Sequence, residues 1–78
     1  MGKKKYEYAV GIRVNRTAYS PSHVYGRHPT NIAAKRAYCI MWNPNTTEDF
    51  WTDEMVKNYY DPVARNEKST KILKVPIE

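Results

Sequence analysis

"YEYAVGIRVN", residues 6–15, decides how the rest of this sequence is read. Tyr6, Tyr8, Val10, Ile12 and Val14 fall on one side, and Glu7, Ala9, Gly11, Arg13 and Asn15 fall on the other. A period of two in aromatic and β-branched residues predicts a strand with one covered face, because successive side chains leave opposite sides of the pleat. The second side is small at Ala9 and Gly11, which admits close approach of a backbone or a ligand, although an ordinary solvent face looks the same.

Downstream, residues 16–30 carry prolines, a glycine, tyrosines, histidines and arginines, and no carboxylate. An irregular segment of that length is uncommon in a small domain and tends to be functional or disordered. Thr30 or Asn31 then supplies an N-cap for a helix over 31–42, "NIAAKRAYCIMW". At 100° per residue, Ala33, Ala34, Ala37, Tyr38, Ile40 and Met41 form its buried stripe, and Lys35, Arg36, Cys39 and Trp42 face outward. Pro44 in "NPN" stops it. A second helix is expected over 53–60, opened by Asp53 and Glu54 and ended by Pro62. The tail alternates again over 70–77, with Leu73, Val75 and Ile77 in phase and Pro76 confining it to an edge. "ARNEKST" reads as a hairpin turn joining that strand to residues near Val63. The sum is α+β: a small, mostly antiparallel sheet with strands about 6–15 and 70–77, room for a short strand near 62–65 or 22–26, and two helices on one face.

Seventy-eight residues hold one domain, with residues 1–5 as a basic leader and 6–78 as the folded unit. Leu, Ile, Val and Phe together make about 17% of the chain, a thin aliphatic supply. Ten aromatic residues offset it, since each ring buries roughly 150–250 Å². A tyrosine-rich, partly wet core follows, and a homodimer would complete it. Cys39 stands alone, so neither an internal disulfide nor a cysteine-based zinc site can form, and no cofactor or metal is expected. With no apolar export segment and no membrane span in view, a cytoplasmic setting is expected.

Charge is the feature that points to function. Residues 1–36 hold eight Lys or Arg against Glu7 alone, a net of +7, whereas residues 37–78 hold five basic and seven acidic groups, a net of −2. The acid-free block carries Arg13, Arg16, Arg27, His28, Lys35 and Arg36, interleaved with Tyr19, Tyr25, Tyr38 and Trp42. Cations neutralise phosphates and aromatic faces stack on unpaired bases, so a non-enzymatic protein binding RNA or single-stranded DNA is the first expectation. Arg13, Arg16, Tyr25, Arg27, His28, Lys35, Arg36 and Trp42 are its candidate contacts. Within the block, "GRHPTN" (26–31) stands at a helix N-terminus, where an anion would be favoured. The same residue types suit a protein-binding inhibitor or adaptor, of the kind encoded by phages and mobile elements, docking on an acidic or nucleic-acid-binding groove. A metal-independent ribonuclease using His23 and His28 is a distant third.

Overall fold

A computed structural model describes residues 6–22 and 24–76. The alternating stretch forms β1, Tyr6–Arg13, and everything else is arranged around it. Along one edge of β1 runs β4, Thr70–Pro76, antiparallel over its whole length, with Ala9 opposite Leu73 and Ile12 opposite Thr70. Along the other edge lie two short pieces, β2 (Tyr19–Pro21) and β3 (Arg27–His28). β2 pairs with Gly11–Arg13 and β3 with Tyr8 and Ala9, both antiparallel. They are therefore two halves of one interrupted strand. From Pro21 to Arg27 the outer chain advances six residues while β1 advances only two, from Gly11 to Ala9, and the surplus swells out as a notch. Pro21 is tolerated because its strand is an edge, where a missing N–H leaves no ladder bond broken. The short strand expected at 22–26 is thus replaced by the turn that separates β2 from β3.

α1, Asn31–Trp42, is capped by Thr30, whose Oγ1 accepts from the Ala33 N–H at 3.2 Å. Asn43 closes its far end by donating from its side-chain amide to the Cys39 carbonyl at 2.9 Å. α2 begins after Thr52, which accepts from the Met55 N–H, and carries Asp53 and Glu54 in its first turn. It runs to Asn66, straight through Pro62. The expected stop at Pro62, and the hairpin strand near 62–65, are therefore corrected to helix. Pro62 lies on the exposed side, so the carbonyl it leaves unpaired can turn to water, while the half-buried Val63 and Ala64 extend the inward-facing stripe begun by the buried Val56 and the half-buried Tyr59 and Tyr60.

The helices occupy one face of the sheet. β3 and β4 run parallel with β1 between them and are joined through α1 and α2, and such crossovers are right-handed almost without exception. The Val10 carbonyl, which accepts from the Ser22 N–H at 2.8 Å, faces the β2 and β3 edge. Backbone chirality then puts the Val10 side chain under the helices, in agreement with its complete burial. α1 covers the sheet with Ala34 and Tyr38, both fully buried, and α2 packs mainly on α1. Between the helices lies a second cluster of Cys39, Trp51 and Val56, lined by Ile32, Ile40, Met55 and Tyr59. Cys39, expected on the outer side of α1, is completely buried, because α1 has two partners and its covered arc is wider than one stripe. Tyr60 is half-buried; its ring meets Tyr38 edge-on at 4.8 Å, and it stands beside the Ile72 backbone of β4. Among the described residues no helix is long and apolar enough to cross a membrane.

Candidate functional site

Register decides which side chains share the face without helices. Residues directly opposite one another in a ladder point the same way, so Arg13 goes with Tyr19, Ala9 with Arg27 and Leu73, Gly11 with Pro21 and Lys71, and Glu7 with Val75. Two contacts agree. A Cβ built on Gly11 would run into the Leu73 side chain, so Leu73 lies across Gly11. The Lys71 ammonium sits 4.5 Å above the Tyr19 ring, whose hydroxyl donates to the Lys68 carbonyl at 2.6 Å. The close approach that Ala9 and Gly11 permit is thus taken up by a neighbouring side chain of the same sheet.

This open face carries Arg13, Arg27 and Lys71, all exposed, around Tyr19, Leu73 and Val75, which are half-buried. Glu7 is the one carboxylate on it among the described residues. Arg27 and Arg13 stand four residues apart along β1, about 13 Å at the rise of a strand, with Lys71 between them on the opposite edge. Arg13 also holds the hairpin turn, donating from Nε to the Asn15 carbonyl at 3.0 Å and from Nη2 to the Arg16 carbonyl at 2.6 Å. Arg16 is exposed in that turn, next to the face.

The remaining candidates lie elsewhere. Lys35, Arg36 and Trp42 belong to α1, on the far side of the sheet. The Lys35 ammonium is 4.8 Å over the Tyr60 ring. Arg36 donates from Nε to the Trp51 carbonyl at 2.9 Å and forms an ion pair with Asp53, so its charge is already compensated. Trp42 is 39% exposed and leans on Tyr38. Tyr25 is half-buried, and its carbonyl is 2.8 Å from His28 Nε2. His28 points to the helix-bearing face, opposite Tyr8, while Arg27 points away from it. The anion grip expected at "GRHPTN" is therefore not assembled: Thr30 is engaged as the N-cap, and Arg27 stands on the other side of the sheet. His23 lies outside the described residues. Among the described residues no group of acidic, histidine and cysteine side chains could hold a metal ion. Burial pushes the Cys39 thiol up to about 11, against the pull of Arg36, so it is protonated at neutral pH.

Lys71 escaped the sequence reading because it belongs to the acidic half of the chain. Its shared phase with Leu73 was visible, but its side of the sheet depends on a register between strands some sixty residues apart. The notch between β2 and β3 adjoins this face. It is a cavity of about 300 Å³ lined by Ser20, Pro21, Ser22, Gly26 and Arg27. No protein-family model matches the chain, and no curated protein or solved structure is detectably similar to it.

Proposed function

We propose that this protein acts by binding, not catalysis, and that its ligand is single-stranded nucleic acid, RNA or DNA, laid across the open face of the sheet. One observation carries the reading: pairing brings Arg13, Arg27 and Lys71 to a face that no helix covers among the described residues, with a tyrosine ring among them and, among those residues, a single carboxylate. Cations spaced along a strand neutralise successive phosphates, and Tyr19 becomes a stacking surface once Lys71 exchanges its ring for a phosphate. An unpaired strand suits a flat sheet because its bases can splay out, which a duplex does not allow.

Fluorescence anisotropy with a labelled oligonucleotide tests this. Affinity should fall log-linearly between about 50 and 200 mM salt, and Lys71→Gln or Arg27→Gln should each reduce the slope by about 0.7. Lys35→Gln, on the helix layer, should leave it unchanged. Absence of binding at low salt would sink the reading. Leu73 and Val75, half-exposed on the same face, favour a second reading, a protein partner with an apolar ridge and an acidic rim. Binding that survives Lys71→Gln, resists salt and is lost in Leu73→Ala would select it.

A further inference from the structure

The notch between β2 and β3 has a chemistry of its own. Ser22 anchors the turn: its N–H donates to the Val10 carbonyl, and its Oγ accepts from the N–H groups of Val24 at 3.1 Å and Tyr25 at 3.3 Å. With both lone pairs so engaged, the Ser22 hydroxyl has only its proton left to offer. Ser20 stands opposite Ile12, so its hydroxyl leaves the sheet on the helix-bearing side, away from Arg27. Arg27 brings a guanidinium that makes no ion pair or hydrogen bond among the described residues. Gly26 has φ of 67° and open space where a side chain would stand, so a ligand can reach the backbone there. Among the described residues the lining thus presents donors and a positive charge, with no carboxylate.

From this we infer that the notch is a subsite for a phosphomonoester, the terminal phosphate of a strand lying on the adjoining face. A terminal phosphate carries a charge of about −1.5 to −2 near neutral pH and three acceptor oxygens, against a single charge and two free oxygens for a bridging diester. A guanidinium fork and the Ser22 hydroxyl proton, in a lining without a carboxylate among the described residues, match the more highly charged former better. Arg27 belongs to both the notch and the open face, which makes the two continuous. The terminal location rests on the nucleic-acid reading; the affinity for a phosphomonoester does not.

Two measurements separate these claims. Inorganic phosphate, titrated at constant ionic strength and followed by amide chemical shifts, should give saturable changes at Ser20, Ser22, Gly26 and Arg27 that vanish in Arg27→Gln. Shifts spread over all exposed cations, or unchanged in that variant, overturn the notch. In parallel, a short oligothymidylate is compared with 5′-phosphate, 3′-phosphate and hydroxyl ends. One phosphorylated end should bind about tenfold tighter than the hydroxyl form, and Arg27→Gln should erase the difference. Lys71→Gln should weaken all three forms alike. Equal binding of the three by the parent protein refutes the terminal subsite and leaves the open face intact. If none binds, the nucleic-acid reading and the terminal subsite both fall, and the phosphate titration alone decides what the notch holds.

Discussion

Gly11 and Cys39 show how single residues are fixed by neighbours that the sequence keeps far away. A methyl group on Gly11 meets Leu73, sixty-two positions later, on the open face of the sheet. Gly11→Ala should therefore destabilise the fold by about 1–3 kcal/mol despite the better strand propensity of alanine. In a Leu73→Ala background the same change should cost far less, and a double-mutant cycle by urea denaturation measures the difference. Additive effects would mean that Leu73 does not lie across Gly11. Cys39 is fixed by burial. Its pKa is raised from 9.0 to about 11, so between those values an unfolded chain gives up a proton that the folded chain keeps. Stability must then fall as pH rises through that window, by up to about 2–3 kcal/mol across it. Burial raises Tyr60 as well, which acts in the same direction above its ordinary value. Denaturation profiles between pH 8 and pH 10 should slope downward, and Cys39→Ala should flatten them, whatever it does to stability at neutral pH. A profile equally steep without the thiol would contradict this account.

At the scale of elements, local signals were sufficient wherever local physics decides the outcome. The alternation of β1, the Thr30 cap, the Asn43–Pro44 stop and the acidic first turn of α2 are all settled within a few residues, and each was legible. Pro62 was misleading because its cost depends on what surrounds it. Its lost N–H is inexpensive on an exposed face, and the burial of Val63 beyond it rewards another turn of helix. Replacing Pro62 by Ala should restore that hydrogen bond and raise stability by about 1–2 kcal/mol, net of the entropy that proline removes from the unfolded chain. Thermal unfolding checks it, and a loss of stability would place a real break at this position. Register was the larger gap. β1 and β4 each show an apolar phase, but pairing Val10 with Ile72 sends Leu73 and Val75 to the opposite face from Val10. Periodicity within a strand says which residues share a side; it does not say which side of a partner they meet.

For the whole molecule, the charge imbalance between the two halves of the sequence does not become a division in space. β1 from the basic half pairs along its length with β4 from the acidic half, Arg36 is neutralised by Asp53, and Lys35 settles over Tyr60. What remains concentrated is smaller than the sequence implied: Arg13 and Arg27 from the first half, joined by Lys71 from the second. This contrast yields a test that separates a local patch from general positive charge. Lys71→Glu and Lys35→Glu each lower the formal net charge of +5 by two, to +3. If attraction came from overall charge, the two variants would lose affinity equally. Their ammonium groups, however, belong to opposite layers of a molecule measuring 35 × 33 × 21 Å, and the screening length is about 10 Å at 0.1 M salt. A phosphate held on the open face is therefore nearly blind to Lys35 at that salt and directly opposed by a carboxylate at position 71. The expected outcome is a loss of at least about tenfold for Lys71→Glu and less than about threefold for Lys35→Glu, with the gap narrowing as salt is lowered and the screening length comes to span the molecule. Circular dichroism on both variants guards against a trivial loss of fold. Equal losses at 0.1 M would remove the open face from consideration as the binding surface and return the charge to a diffuse role.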